Sequence, residues 1–217
     1  MARRPATEEA RLSRRNALLD AAVSLWLNNP DGIASVAEVA RAAKVGKGTI
    51  YLYFASKEDL LLAAHERHAE AFFTALYERA WEDKPMTHDD MMRLTHQYIV
   101  EVPAYLPLAT LVGGLLHKSV TPEVAAAFEK RLAERLQLAG GMLCRHFPFS
   151  DDVAGARLLM QSYGLILGLW QLLGNQGCVR PGGELANLMQ PDYFTELDAA
   201  LRALWRGVLE PKEPSHA

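Results

Sequence analysis

The sequence contains only two cysteines, Cys144 and Cys178, and neither lies in a C-x-x-C pair. Two isolated cysteines exclude the disulfide framework of a small secreted protein and the paired ligands of a structural zinc site. The start of the chain lacks the apolar core of a signal peptide. Polar residues such as Arg157 interrupt the most apolar stretch, residues 153–173, before it reaches the ~18 residues of a membrane span. We therefore expect a soluble, cytoplasmic protein.

Sequence motifs of catalysis are also missing. The chain has no phosphate-binding glycine loop, no G-x-S-x-G and no H-E-x-x-H. His65 and His68 form an H-x-x-H pair, but no third ligand evidently converges on it, and a solvated or capping role accounts for it better. We therefore predict that the chain is not an enzyme and holds no metal and no cofactor. An all-helical enzyme stays open as an alternative because catalytic sites assemble in space.

Charge is distributed unevenly along the chain. Residues 1–57 contain nine Lys or Arg and five Asp or Glu, a formal charge of +4, whereas the whole chain carries −3 and the remainder therefore −7. A basic end on an acidic body is typical of a protein that places one end on phosphate groups. Residues 1–12 are expected to form a disordered basic arm, which is either a solvated tail or an arm that contacts phosphates or the minor groove.

The most informative stretch is residues 35–61, which predicts three short helices. Ser35 and Glu38 have the spacing of a capping box at the start of the first helix. Gly46 follows that helix and is able to adopt the positive φ that a sharp turn needs.

A second helix is predicted to begin near Lys47 and to end near Phe54, and Ser56 then caps a third. Two short helices joined by a glycine-bearing turn predict a helix-turn-helix. In such a unit the second helix lies in the major groove and presents its N-terminal residues to base edges.

This stretch resembles the DNA-binding domain of the TetR family of bacterial repressors. The resemblance covers roughly residues 10–65 and rests on three segments, SVAEVA at 35–40, GKGTIYLYF at 46–54 and SKEDLL at 56–61. It implies a ligand-responsive transcriptional regulator, most often a repressor, that binds a near-palindromic operator as a homodimer.

The predicted architecture is all-α, with a long helix joining a three-helix DNA-binding domain to a helical body. The expected domains are a helix-turn-helix domain at 13–61, an effector-binding and dimerisation domain at 62–210, and a disordered tail at 211–217. In the body, polar caps at Thr87, Thr121 and residues 150–152, and the Pro-Asp pair at 191–192, mark helix starts. No strand-like alternation competes with helical spacing anywhere.

The resemblance assigns DNA contacts to side chains of the helix-turn-helix and its flanks. The predicted contact residues are Ser35, Lys47, Gly48, Thr49, Tyr51, Leu52, Tyr53 and Lys57. Lys47 is a long cation suited to guanine or phosphate, Leu52 suits a thymine methyl, and the hydroxyl side chains suit phosphate oxygens. Ile50 and Phe54 are expected to point into the domain. The sequence departs from the family pattern at Gly46, where a serine often caps the recognition helix.

The last two long helices are the predicted dimer interface, because the family pairs them into a four-helix bundle. The helix at 151–175 has apolar residues on nearly every face, as a helix buried all round does. Gly164 and Gly168 lie one turn apart and would let another helix approach closely. The predicted interface residues are Leu158, Gly164, Leu165, Gly168, Leu169, Leu201, Leu204 and Trp205. The same pattern also fits helices that are simply core.

The family usually places a small-molecule site among the middle helices. The candidate effector-binding residues are Phe72, Met92, His96, Tyr98, Tyr105, His117, Cys144, Tyr163, Trp170 and Gln171. Their apolar bias predicts a hydrophobic or aromatic effector, although the same residue types at helical spacing also fit a plain core. A DNA-bound adaptor that recruits a protein partner without an effector is the alternative function.

Overall fold

Helices form all the regular structure in the computed structural model, which describes residues 7–29, 32, 34–174 and 191–209. The side chains of residues 115–118 are not described. The described helices are α1 (Glu8–Asn28), α2 (Val36–Ala42), α3 (Lys47–Ile50), α4 (Lys57–Trp81), α5 (His88–Thr95), α6 (Tyr105–Lys118), α7 (Pro122–Leu143), α8 (Asp152–Leu169) and α9 (Tyr193–Leu209). The all-α prediction is confirmed.

The chain divides into two compact units. The first comprises Met1–Ala69 and Pro107–Ala125, and the second comprises Glu70–Leu106 and Ala126–Ala217. Helix α4 contributes residues to both.

The core of the first unit includes side chains of α1, α2, α3 and α4, of the turn after α3, and of α6. Its buried side chains include Leu18, Leu19, Ala22 and Trp26 of α1, Val39 and Ala40 of α2, Ile50 and Phe54, and Leu60, Leu61 and Ala64 of α4. Arg67 of α4 is tied to α1 because its guanidinium lies 2.8 Å from the Asp20 carboxylate and donates to the Asn16 carbonyl over 3.4 Å. These contacts fix the frame on which α2 and α3 lie.

Helix α1 begins inside the segment that the sequence predicts to be an arm. Thr7 is its N-cap and accepts a hydrogen bond from the Ala10 N–H over 3.3 Å. Glu8 and Glu9 occupy the first turn, where negative charge interacts favourably with the helix dipole. The first six residues of the predicted arm lie outside the described residues.

Helix α9 packs on α8 in the second unit through a buried polar contact. The Trp205 indole N–H donates to the Ser162 hydroxyl over 2.9 Å, and that hydroxyl donates to the Leu158 carbonyl over 2.8 Å. Leu158, Leu201 and Trp205, which the sequence predicts at a subunit interface, are all buried within the single chain. They therefore hold α8 and α9 of one subunit together and are not part of the surface available to a second.

Two helices are extended by a π-helical turn at their C-terminal ends. The turn His96–Val100 follows α5, and the turn Trp170–Gly174 follows α8. A π-helical turn is a local departure from α geometry that the apolar spacing alone does not reveal. The predicted tail, residues 211–217, lies outside the described residues, as do residues 175–190 and residue 210.

The helix caps predicted in the body are confirmed. Thr87 and Asp90 form a reciprocal capping box, Thr121 and Asp151 accept from N–H groups three residues on, and so does Asp192. No helix in the described part of the chain is long and apolar enough to cross a membrane. Within the same residues, no group of three or more His, Cys, Asp or Glu side chains is placed to hold a metal ion.

Candidate nucleic-acid interface

The start of α2 is fixed by the predicted capping box. The Ser35 hydroxyl accepts from the Glu38 N–H over 3.3 Å, and the Ser35 N–H donates to the Glu38 carboxylate over 2.8 Å. The Ser35 hydroxyl also donates to that carboxylate over 2.7 Å. Both donors of Ser35 are therefore engaged in the cap, and its contact with phosphate stays a prediction.

The turn between α2 and α3 is closed by Lys44 rather than by the glycine. Lys44 has a φ of 55°, whereas Gly46 has an ordinary extended φ of −70°. The Lys44 N–H donates to the Arg41 carbonyl over 3.1 Å, and the Val45 N–H donates to the Ala40 carbonyl over 2.9 Å. This pair of bonds is a Schellman motif, in which the left-handed residue is usually glycine. The prediction that Gly46 takes the positive φ is therefore wrong.

Helix α3 is a single turn, shorter than the predicted helix. Gly46 is its N-cap and supplies no side-chain hydrogen bond. After Ile50 the chain tightens, because the Tyr53 N–H and the Phe54 N–H both donate to the Ile50 carbonyl, over 2.8 and 2.9 Å. Residues 51–53 form a turn that continues the helical path, closed by one bond of three-residue and one of four-residue spacing.

The inner and outer faces of this segment are sharply separated. Ile50 and Phe54 are buried as predicted, and the Arg15 guanidinium lies 5.4 Å from the centre of the Phe54 ring. Tyr51 and Leu52 point outward, with 53% and 76% of their surface exposed. An exposed leucine and an exposed tyrosine side by side form an apolar surface that nothing in the described first unit covers.

The polar members of the predicted site lie on or beside that outward face. Lys47 and Gly48 are exposed, Thr49 and Tyr53 are half-buried, and a Cβ built on Gly48 would have no neighbour within 4 Å. Seven of the eight predicted contact residues fall between 47 and 57, and the structure brings them to one short segment. Lys47 forms no ion pair among the described residues.

The start of α4 is capped by its own side chains. The Asp59 N–H donates to the Ser56 hydroxyl, and the Ala55 N–H donates to the Asp59 carboxylate, each over 3.0 Å. The Lys57 ammonium lies 3.9 Å from the Glu58 carboxylate. Lys57 is therefore half-buried next to an acid, and it is less free than Lys47 to neutralise a phosphate.

The charge of this region is strongly positive. Residues 35–57 contain four cations, Arg41, Lys44, Lys47 and Lys57, and one acid, Glu38. Glu38 is occupied by its bonds to Ser35, which lower the pKa of its carboxyl. The exposed part of the segment therefore presents cations and apolar side chains together, as a surface that binds DNA phosphates and base edges does.

His65 and His68 belong to the interior of the first unit. His65 is 3% exposed, and burial lowers its pKa to about 4, with the neighbouring His68 contributing in the same direction. Burial also lowers the pKa of His68. The His65 imidazole is therefore neutral at neutral pH, and its burial contradicts the predicted solvated or capping role.

The candidate effector residues lie mostly in the second unit, with very different exposures. Phe72, Met92 and Tyr105 are buried, His96, Tyr98, Cys144, Tyr163 and Trp170 are half-buried, and Gln171 is exposed. The side chain of His117 lies outside the described residues. Burial and the neighbouring Tyr163 raise the pKa of Tyr105 well above its usual range, and burial raises that of Tyr163 to about 12.

Two of these candidates, His96 and Trp170, contact residues at the start of α9. The sequence did not indicate these residues as part of a site. The His96 Nε2 lies 2.7 Å from the Asp198 carboxylate, and its ring stacks on Phe194 at 6.3 Å between centres. Trp170 lies edge-on to Tyr193 at 5.4 Å, and Tyr193 contacts Phe194 at 5.5 Å. The first turns of α9 thus join both π-helical turns.

The sequence did not indicate Asp198 or Phe194 as site residues, because their partner His96 is distant in sequence. The only local signal is the spacing of Phe194 and Asp198, four residues apart on one helix face. His96 and Asp198 are 102 residues apart, so no sequence pattern links them.

The remaining predicted interface residues of α8 and α9 are open or half-buried. A Cβ built on Gly164 or on Gly168 would have no neighbour within 4 Å. Leu165, Leu169 and Leu204 are half-buried. The exposed large apolar side chains of these helices and of the adjoining π-helical turn are Val153, Met160, Leu172, Phe194 and Val208.

Two family models match the chain. The model described as bacterial regulatory proteins, tetR family, matches residues 18–64, and the model described as tetracyclin repressor-like, C-terminal domain, matches residues 66–212. The second match alone covers more than half of the 217 residues.

Similar proteins carry related descriptions. The chain is 27% identical over 122 residues, 55% of its length, to the "Uncharacterized HTH-type transcriptional regulator YuxN" of Bacillus subtilis. It is 36% identical over 61 residues, 28% of its length, to the "Fatty acid metabolism regulator protein" of the same organism. These matches span 41% and 31% of the two relatives, less than half of each.

Among solved structures, the fatty acid degradation regulator FadR from Bacillus halodurans has a similar fold. The TM-score is 0.58 at 21% sequence identity, and the match covers 88% of this chain and 98% of that one. At this identity the likeness concerns the fold alone.

Proposed function

Because the chain belongs to the TetR family of DNA-binding transcription regulators, which are not enzymes, we propose that it is a ligand-responsive repressor. It binds a near-palindromic operator as a homodimer and is released by a small hydrophobic or aromatic effector. We place its action in the cytoplasm, where bacterial operator DNA is found.

The proposal rests on the two different faces of residues 47–54, which we call the α3 segment. Ile50 and Phe54 anchor the segment in the core, while Lys47, Tyr51 and Leu52 are exposed. Tyr51 and Leu52 are exposed side by side and form an apolar surface, and a thymine methyl in the major groove is a partner that such a surface contacts. Lys47 supplies the charge that binds phosphate or guanine.

The dimer is supported by the exposed faces of α8 and α9. Gly164 and Gly168 lie on open surface, and Met160 lies one turn from Gly164 with 56% of its surface exposed. Small residues beside exposed apolar ones allow a second helix to approach closely. A dimer also fits the proposed operator. Two recognition helices about 34 Å apart bind the two half-sites of a near-palindrome.

The hydrophobic effector is supported by the residue types of the second unit. Aromatic side chains surround His96, Trp170 and the start of α9, and apolar sites of this kind bind hydrophobic ligands. One relative is named for fatty acid metabolism, and fatty acids are hydrophobic. Release follows from a population shift. The ligand binds more tightly to the conformation in which the spacing of the two DNA-binding domains does not match the operator.

The test is selection of bound sequences from a pool of random duplexes by the full-length protein. We expect enrichment of one near-palindrome, bound by two subunits, with affinity that falls steeply as salt rises. Long-chain fatty acids and aromatic acids are then screened for release of the enriched duplex. Weak binding without sequence preference would overturn the repressor. Sequence-specific binding that no ligand releases would favour the adaptor.

A further inference from the structure

We propose that Lys44, in the turn between α2 and α3, contacts a phosphate of the DNA backbone. The inference rests on the proposed DNA-binding function and adds to it a residue outside the predicted contact set. The observation behind it is the backbone of Lys44, the only non-glycine residue with a positive φ in the described part of the chain.

The turn itself gives no reason for a lysine at this position. The two bonds that close it use the backbone N–H groups of Lys44 and Val45 and need no side chain. A φ of 55° strains any residue with a Cβ, and glycine adopts it without strain. The chain nevertheless places its glycine two residues later, at Gly46, where the extended backbone suits any residue.

The lysine side chain is available for an external partner. Lys44 is exposed, and it forms no ion pair within the described residues. Its charge is therefore not used to stabilise the first unit. Residues that stay strained at an exposed turn are found preferentially at binding sites.

The position of Lys44 in the chain points to phosphate rather than to a base. It precedes Lys47, at the start of the recognition helix, by three residues, a chain length of at most about 10 Å. Both ammonium groups are thus within reach of neighbouring phosphates on one strand. An ammonium group is a compact point charge that binds phosphate without reading sequence.

The experiment compares wild type, Lys44→Gln, Lys44→Arg and Lys44→Gly on the selected duplex across a salt series. Lys44→Gln is expected to reduce the slope of log affinity against log salt by about 0.9 per subunit, and by about 1.8 for a dimer. The affinity falls on the order of tenfold or more at 0.1 M salt, and the difference from wild type vanishes near 1 M. Lys44→Arg retains most of the wild-type affinity.

Lys44→Gly separates the binding role from the strain. It is expected to weaken DNA binding as Lys44→Gln does, while its melting temperature rises by about 2–4 °C because the strain is relieved. Lys130→Gln removes the same charge at an exposed lysine of α7, 3.8 Å from Glu134, and is expected to leave the slope unchanged. The sequence selected by Lys44→Gln is expected to be that of wild type.

The outcomes distinguish this inference from the function on which it rests. An unchanged slope in Lys44→Gln, with steep and specific binding by wild type, overturns the role of Lys44 and leaves the repressor intact. An equal loss in Lys130→Gln also overturns it, since overall charge would then explain the effect. Absence of specific binding by wild type overturns both.

Discussion

Gly140 of α7 and Gly155 of α8 bring their helices into backbone contact. A Cβ built on Gly155 would lie 2.9 Å from the Gly140 carbonyl oxygen, and one built on Gly140 would lie 2.2 Å from the Asp152 carbonyl oxygen. Real side chains do not tolerate such distances to backbone atoms, which cannot rotate away. The two glycines therefore set the separation of α7 and α8 in the second unit.

Replacing Gly140 by alanine is expected to destabilise the protein, because the added methyl group forces the two helices apart. The expected loss in the free energy of unfolding is about 1–3 kcal/mol or more. Gly141→Ala is the matched control, since its Cβ would make only an ordinary contact of 3.8 Å with the Asp152 side chain. There, better helix propensity predicts a gain of roughly 0.5–1 kcal/mol. Urea unfolding measures the change in the free energy of unfolding for each variant. Equal changes in the two variants would contradict the close contact.

Replacing Gly164 by alanine tests the proposed dimer surface. In the single chain the new methyl group meets nothing within 4 Å, so each subunit is expected to gain roughly 0.5–1 kcal/mol from helix propensity. A partner helix close to Gly164 would be pushed away, and the dimer dissociation constant is expected to rise. Sedimentation velocity across a concentration series measures it. A dimer of wild-type affinity would place the interface elsewhere.

Acid is expected to weaken the first unit through His65. Its pKa is about 4 in the folded protein and 6.5 as a free side chain, so the unfolded chain takes up the proton first. Stability is therefore complete above pH 6.5 and falls as the pH drops towards 4, by roughly 3 kcal/mol for this residue.

The variant His65→Leu tests that assignment, because it removes the titrating group and keeps the site filled. Between pH 7 and pH 4.5, its apparent urea midpoint is expected to change less than that of wild type. Burial also lowers the pKa of His68 and of His88, so part of the dependence remains. If the urea midpoints of the two proteins change equally with pH, His65 does not titrate in this range.

Replacing Leu52 by alanine is expected to lower operator affinity without affecting stability. The side chain is 76% exposed, so its loss changes the free energy of unfolding by no more than about 0.5 kcal/mol. Loss of a thymine contact is expected to cost about 1–3 kcal/mol for the preferred base and to relax selectivity at that position. Leu138→Ala, which truncates a leucine of 55% exposure on α7, serves as the control. Equal operator affinities for the two variants would remove Leu52 from the interface.

Local patterns predicted the features that depend on neighbours in sequence. The bonds between Ser35 and Glu38, and the inward direction of Ile50 and Phe54, follow from capping chemistry and helical spacing. Such signals act within one or two helical turns, so the sequence alone displays them.

Features that depend on tertiary packing could not be predicted in this way. A close helix approach between subunits was predicted at Gly164 and Gly168 and stays a prediction, whereas the close approach within the chain at Gly140 and Gly155 was not predicted. His96 was predicted to contact an effector, which stays a prediction, but its contact with Asp198, 102 residues away, could not be predicted. A sequence pattern shows that a residue is suited to close packing or to polar contact without showing which partner the fold supplies.

The positive φ at Lys44 shows a limit of local rules as well. Glycine preference indicated Gly46, but the Schellman bonds at the end of α2 fix the left-handed residue two positions earlier. The length of α2, set by its core contacts, decides where the turn falls.

Parallel titration of the selected near-palindrome and of a scrambled duplex of equal length and composition measures whether the outward face of the α3 segment reads DNA sequence. At physiological salt we expect the wild-type protein to bind the selected duplex at least about 10³-fold more tightly. We expect Lys47→Gln with Leu52→Ala to lose most of that ratio while remaining folded. Equal affinity of the wild-type protein for both duplexes would contradict sequence recognition by the α3 segment.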